Sequence, residues 1–409
     1  MLFARTIASS RVRTHRPDGV GLRTSIRTPA VNIVAPMLRT RVAAALAAIV
    51  ILVAVSACGS SSNSSGTTSA AASGSASGSA AGGAVSGKIG VILPDTTTST
   101  RWENQDRPAL EQAFKAAGVD YDIQNANGDK NAMATIADQM VANGATVLAI
   151  VALDSESGAA IQKKAAAQGV QTIDYDRLVL GGSSEYYVSF DNVEVGKLQG
   201  QGLVKCLGDG QKNVIFLNGA PTDNNAALFK QGAHSVIDAD SNIKIVGEQD
   251  TPNWDAPTGQ TLYEQMFTAA TQGGQKVDGV LAANDGLAGA VVTVNQKNTL
   301  KIPVTGQDAT AEGLQRILSG DQCMTVLKAT SKEAGAVADV AIALAKGQTP
   351  QTNGTVHDAT GNRDVKAILE TPEAIFKDNV KDAIAAGSAT AAQVCTGEYA
   401  AMCTAAGIS

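Results

Sequence analysis

From Lys88 onward, short apolar runs rich in β-branched residues alternate with longer stretches whose apolar positions recur at helical spacing. The pattern predicts strands over Lys88–Leu93, Tyr121–Gln124, Thr146–Val151 and Gln171–Asp174. Helices are predicted between them, over Trp102–Ala117, Lys130–Asn143 and Ser155–Gln168. The rhythm then repeats. Helices are expected over Glu194–Cys206, Ala226–Asp238, Pro257–Gln272 and Gly286–Asn298, and strands over Asn213–Leu217, Lys244–Gly247, Gly279–Ala282 and Pro303–Thr305. Apolar strands between amphipathic helices imply parallel sheets covered on both faces. Gly118, Gly144 and Gly169 stand where the early helices should end, as a glycine just past a helix C-terminus does. Two such series predict an α/β chain of two doubly wound parallel-sheet lobes.

Open parallel sheets bind ligands beyond the carboxyl ends of their strands. The residues that follow each apolar run are therefore the candidates. In the first series they are Asp95, Arg101 and Trp102, then Asp154, then Asp176 and Arg177. In the second they are Asp223, Asn224 and Asn225, Asp250 and Trp254, Asn284 and Asp285, Gln307 and Asp308, and Lys328. Both tryptophans of the chain fall in this set. Carboxylates accept from hydroxyls, Arg and Lys donate, and Asn does both. An indole face covers C–H patches. This chemistry suits a neutral polyol, whereas an anion site calls for a basic excess or a glycine-rich loop at a helix N-terminus. Some of these groups have a purely structural alternative. Asp154, Asn192 and Asp285 are also placed to cap helices, Trp102 to sit in a core, and Arg177 to pair with Asp176.

The segment before Lys88 has a different texture. Residues 1–57 contain eight Arg and one acid, Asp18, leaving 24 basic and 37 acidic side chains for the rest. So acidic a body makes nucleic acid an unsuitable partner. Residues 37–57 have a basic start, an apolar run over Val42–Ala57 and small residues before Cys58, the layout of a secretory signal. The apolar run has about 16 residues, short of the ~20 that span a bilayer. Val55-Ser56-Ala57-Cys58 resembles a bacterial lipobox, which implies cleavage before Cys58 and lipidation there. Residues 1–36 read as an upstream extension before a start at Met37. Residues 58–87, almost wholly Gly, Ser, Thr and Ala, read as a tether of roughly 30 Å mean span.

Several stretches together resemble the D-xylose-binding and multiple-sugar-binding periplasmic proteins, of the ribose-type branch of substrate-binding proteins for ABC importers. They are Val151–Asp154, Ile173–Arg177, Tyr187–Asn192 with Val195-Gly196, Pro221–Ala226, Asn284-Asp285, Thr305–Ala309 and Met324–Lys328. The resemblance runs from about Lys88 to Asp382. It implies a type I periplasmic binding protein fold whose two lobes are joined by three hinge crossings and close over one monosaccharide, an aldopentose or aldohexose. The crossings would lie near Asp191-Asn192, Lys328-Ala329 and Asn353–Gly361. That places residues 88–191 and 329–358 in lobe 1, and 192–328 and 359–409 in lobe 2. It also implies sugar contacts at Arg101, Trp102, Asp176, Arg177, Asn225, Trp254, Asn284, Asp308 and Lys328. The implied partners are the membrane subunits of an ABC permease and, through the lipid, the membrane itself. The protein would act as a monomer. The threonine-rich loop Asp95–Thr100 departs from the family pattern, as does the tail from Ala391.

Apart from Cys58, four cysteines remain, which allow three pairings. An exported protein favours bonded thiols. Cys395 and Cys403 are close in sequence, which leaves Cys206 for Cys323. No Cys-x-x-Cys and only three His argue against a metal, and no cofactor is expected. Alternative functions are a sensor presenting sugar to a membrane receptor or kinase, a glycosidase using Asp176 and Asp308, and a sugar-responsive repressor. An Arg beside Asp176 should lower its pKa, which suits an acceptor and not a general acid. A repressor needs an N-terminal DNA-binding module where this chain has a signal and linker.

Overall fold

The structure, a computed structural model, describes residues 87–408. The upstream extension, the signal, Cys58 and nearly all of the tether lie outside the described residues.

The first lobe is built from β1 (Lys88–Leu93), α1 (Arg107–Ala117), β2 (Tyr121–Asn125), α2 (Lys130–Ala142), β3 (Ala145–Ile150), α3 (Ser155–Ala166), β4 (Gln171–Tyr175) and β5 (Tyr186–Phe190). A wide π-type turn, Trp102–Asp106, precedes α1, so the single helix expected from Trp102 is split. Pro108, in the first turn of α1, has no N–H to offer the preceding turn. Gly118, Gly144 and Gly169 all have positive φ, at 64°, 87° and 73°, as the helix-end reading required.

The second lobe follows with α4 (Asn192–Leu207), β6 (Lys212–Asn218), α5 (Asn224–Ile237), β7 (Ile243–Asp250), α6 (Ala256–Gln272), β8 (Gly279–Ala282), α7 (Asp285–Lys297), α8 (Ala311–Ser319) and β9 (Thr325–Leu327). The chain then returns to the first lobe with α9 (Thr330–Ala345), which packs against α1 and β3. It continues through β10 (Gly354–Asp358) and β11 (Arg363–Glu370). Last come β12 (Glu373–Ile375), α10 (Val380–Ala385), α11 (Ala391–Val394) and α12 (Tyr399–Ala405).

The first sheet has the order β10-β11-β5-β4-β3-β1-β2, parallel except for the β10–β11 hairpin. In the second lobe β7, β6 and β8 are parallel neighbours, and β9 pairs with β12. Isolated bridges Val280–Val304 and Gln307–Val326 link these two pieces. The strand expected over Pro303–Thr305 is thus reduced to one bridge. Beyond it the Thr305 hydroxyl, and not a backbone carbonyl, receives the Ala282 N–H at 3.1 Å.

The expected boundary at residue 358 moves. β11 lies beside β5 in the first sheet, with Lys366 opposite Tyr186 and Glu370 opposite Phe190. Val365 and Ala367 are buried there against Leu178 and Tyr187. The Asp358 carboxylate fixes the hairpin turn by accepting from Gly361 N at 2.9 Å and Arg363 Nε at 3.1 Å. The third crossing therefore falls between Glu370 and Glu373, where β12 joins β9. The other two fall between β5 and α4 and between β9 and α9.

Apolar side chains fill both faces of the first sheet, with Val91, Val147 and Ile173 toward α1 and α9, and Ile92, Leu148 and Ile150 toward α2 and α3. In the second lobe Ile215, Leu217, Val280 and Val291 anchor the main cluster. Cys206–Cys323 and Cys395–Cys403 are disulfide-bonded, the pairing read from the sequence.

A candidate ligand-binding cleft between the lobes

The wall of one cleft between the sheets carries Arg101, Trp102, Asp176, Arg177, Asn225, Trp254, Asn284, Asp308 and Lys328 together. The structure thus brings together the nine residues that the resemblance implied as sugar contacts, whereas Asp95, Asp154, Asn224, Asp250 and Asp285, also candidates at the strand ends, are not on this wall. Thr98, Ser99, Asp223, Phe229 and Gln307 complete the wall.

Asp176 sits at the centre. It follows β4 in the left-handed region, at φ 59°, a conformation that costs a non-glycine residue of the order of 1 kcal/mol or more. Its N–H bonds Val188 O at 2.8 Å. Its carbonyl accepts from Ser189 Oγ at 2.7 Å, Asn225 Nδ2 at 2.8 Å and Tyr187 Oη at 3.2 Å. Its carboxylate accepts from Lys328 Nζ at 3.1 Å, Arg101 Nη1 at 3.2 Å and Asn225 Nδ2 at 3.1 Å. Burial alone would raise its pKa, but Lys328, Arg101 and Arg177 outweigh that and hold the carboxyl well below the usual range.

Arg101 is caged from behind. Its Nε and Nη2 grip Asp106 at 2.9 and 2.8 Å, and Nη2 also reaches Glu333 at 2.5 Å. Four of its five N–H groups are thereby committed to carboxylates, leaving one for a ligand. The guanidinium lies 4.4 Å from the Trp102 ring centroid. Tyr175 Oη donates to Asp106 on the other side. Burial pushes Glu333 up to about 8, with Arg101 and Lys328 pulling against it and Asp176 and Asp106 adding to it.

The first loop is shaped by Asp95, whose Oδ1 accepts from Thr97 N at 2.8 Å and Thr98 N at 2.6 Å. That turn presents Thr98 O to Asn284 Nδ2 at 3.2 Å and Ser99 Oγ to Asp308 Oδ2 at 3.1 Å, both across the cleft. Arg177 Nε lies 3.0 Å from Asp223 Oδ2, out of line for a good hydrogen bond, and 4.0 Å from Asp176. Its nearest carboxylate is thus Asp223 and not its neighbour. Asp223 caps α5 and also receives Trp254 Nε1 at 3.2 Å. Trp254 packs edgewise on Phe229 at 6.4 Å. Both Trp254 and Asp308 have positive φ, at 56° and 99°. Three strained residues on one wall mark where the fold gives up local comfort to aim side chains.

The capping alternatives resolve individually. Asp154 does cap α3, accepting from Ser157 N at 2.7 Å. Asn192 does not cap α4. Asp191 takes that position, and the Asn192 amide instead spans the crossing to Asn225 Oδ1 at 2.9 Å. Asp285 does not cap α7 either. Asn284 Oδ1 does so through Leu287 N at 2.8 Å, while Asp285 is buried and holds Thr310 N at 2.9 Å and Gln322 Nε2 at 2.8 Å. Asp285 thereby pins the loop that carries Asp308.

A family profile described as periplasmic binding protein domain matches residues 89–349. The chain belongs to the periplasmic binding protein family. A D-xylose-binding periplasmic protein of Escherichia coli K12 is 33% identical over 302 residues, covering 73% of this chain and 89% of the relative. A multiple sugar-binding periplasmic receptor of Rhizobium radiobacter is 33% identical over 319 residues, at 73% and 89% coverage. Among solved structures, a carbohydrate transporter solute-binding protein from Chloroflexus aurantiacus, in complex with D-glucose, superposes with a TM-score of 0.69. It is 32% identical and covers 75% of this chain and 97% of that one. The family's type I fold, two α/β lobes with parallel sheets, is the fold seen here. These periplasmic binding proteins are not enzymes, so the glycosidase alternative falls.

Sequence reasoning left Ser99, Phe229 and the supporting acids Asp106 and Glu333 outside the site. Glu333 did leave a signal. It is an acid on the otherwise apolar face of α9 that carries Ala334, Val337 and Ala341. Asp106 and Tyr175 left none, because their partners are assembled only by the fold.

Proposed function

We propose that this chain is an exported, lipid-anchored binding protein that captures a monosaccharide, D-xylose or a similar aldose, and delivers it to the membrane subunits of an ABC import permease. The observation that carries the reading is the make-up of the cleft. Three cations (Arg101, Arg177, Lys328) face three carboxylates (Asp176, Asp223, Asp308), with both tryptophans beside them. So balanced a wall favours a neutral ligand with many hydroxyls, which fixed donors and acceptors can pair without a net field. The sugars named for the relatives agree with it. Residues from both lobes make the wall, so a sugar between them stabilises the closed arrangement through contacts that an open one lacks.

Titration with a panel of pentoses and hexoses, followed by tryptophan fluorescence, tests the reading. Saturable change with at least one neutral aldose is expected, and silence across the panel defeats it. For the anchor, Cys58→Ser should move the protein from the membrane fraction to the soluble one. Retention on the membrane would refute lipidation at Cys58.

A further inference from the structure

A second set of contacts joins the lobes away from the cleft. Gln105, in the turn before α1, donates through Nε2 to the carbonyl of Ser388. Its Oε1 accepts from Thr330 Oγ1 at 2.7 Å. Ser331 Oγ donates to Ala386 O at 3.3 Å. Thr330 and Ser331 open α9, directly after the second crossing. Ala386 and Ser388 belong to the other lobe, in the loop between α10 and α11.

That loop is firmly held. Ser388 N and Oγ both bond Ala383 O, at 3.1 and 2.7 Å. Ala383, Val394 and Cys403 pack into one buried cluster with Leu314 and Ile317 of α8. The Cys395–Cys403 disulfide closes the segment, and Gln315 Nε2 donates to Val394 O at 3.1 Å. Gln105 and Ser388 line a groove of their own and are not on the wall around Asp176.

We propose that Gln105 is a positioning residue for ligand binding. It latches the disulfide-closed C-terminal segment of lobe 2 onto the turn that carries Arg101 and onto the start of α9. The latch sets the fraction of protein that is closed before a ligand arrives. The proposal rests on the sugar-binding reading above for its effect on affinity, but not for its effect on lobe closure. A site completed only on closure has an apparent affinity scaled by the closed fraction. The Gln105 amide donates to lobe 2 at Ser388 and accepts from lobe 1 at Thr330 at once. Glutamate at this position keeps the acceptor for Thr330 and loses the donor to Ser388, and leucine loses both.

The test uses wild type, Gln105→Glu and Gln105→Leu. Each is titrated with D-xylose and D-glucose. Each is also labelled at Lys115→Cys and Lys276→Cys, exposed positions in the two lobes, for inter-lobe distance measurements without sugar. Both variants should show a longer ligand-free distance. Kd should rise about 2- to 10-fold, the span of one net hydrogen bond, mainly through faster dissociation. Saturating sugar should restore the short distance. A merely structural role would lower the unfolding midpoint and leave the distance unmoved. An unchanged ligand-free distance in Gln105→Glu overturns the latch, whatever the titrations give. Failure of wild type to bind either sugar, with the distance shift present, counts against D-xylose and D-glucose as ligands and leaves the latch standing.

Discussion

The Asn225 amide of one lobe donates to both the main-chain carbonyl and the carboxylate of Asp176 in the other, at 2.8 and 3.1 Å. A single side chain thus holds a strained residue at its backbone and at its functional end. Asn192 supports it in turn, donating to Asn225 Oδ1 from the crossing between the lobes. Cleft geometry and hinge geometry are therefore set by the same short chain of amides.

Asn225→Ala removes that support from the central carboxylate of the cleft. Hydrogen bonds to charged groups are worth about 1.5–3 kcal/mol, or ~10- to 150-fold in affinity. Calorimetric titration with the best aldose should show a loss of that size with the circular dichroism spectrum unchanged. Wild-type affinity in this variant would remove Asn225 from the site.

Gly219→Ala should cripple binding without touching a polar group. A Cβ built there comes 2.0 Å from Trp254 Cη2. The indole must swing away, breaking its bond to Asp223 and its packing on Phe229. Lost affinity together with a shifted tryptophan emission spectrum is the expected result.

Asp174 gives the fold a pH dependence. Burial pushes its carboxyl up to about 7, although the Val179 N–H, Arg363 and Gln162 oppose the shift. The folded state therefore holds this proton more tightly than the unfolded one, whose Asp titrates near 3.9. The stability it contributes is complete below about pH 4 and is lost as pH rises toward 7, at up to ~1.4 kcal/mol per pH unit. Asp174→Asn should flatten that part of a denaturation-versus-pH curve. An identical slope in the two proteins would mean that Asp174 titrates normally.

The disulfides should differ in worth. Cys206 and Cys323 are 117 residues apart, Cys395 and Cys403 only 8. Chain entropy assigns about 5 kcal/mol to the long loop and about 2.5 kcal/mol to the short one. Paired Cys→Ser variants, compared by urea unfolding, should rank in that order.

Much of this architecture was legible in sequence because its strands are dense β-branched runs and its early helices end at glycine. Candidate site residues could be named for a related reason. In a doubly wound fold the strand ends converge, so one polar group after each run suffices to draw the cleft. Two things were not legible. The β10–β11 hairpin begins in the stretch Asn353–Gly361 that was read as the third crossing, and β10 is mostly exposed, with no buried face to mark it as a strand. Asp106, Tyr175 and Glu333 meet around Arg101 only after three distant elements have packed. Of the two carboxylates that hold Arg101, only Glu333 left a local mark, as an acid on an apolar helix face, and nothing local announces Asp106.

The placement of β11 between β5 and β10 has a consequence for biosynthesis. The sheet that begins at Lys88 is not finished until Glu370 has been made, and the second lobe is begun and nearly completed in between. Neither lobe is a continuous stretch of the gene. The usual order, in which an N-terminal unit folds while the rest is still on the ribosome, is therefore closed to this chain. The first lobe has all its strands only once Glu370 is made, and the second has its full core only when the C-terminal segment follows.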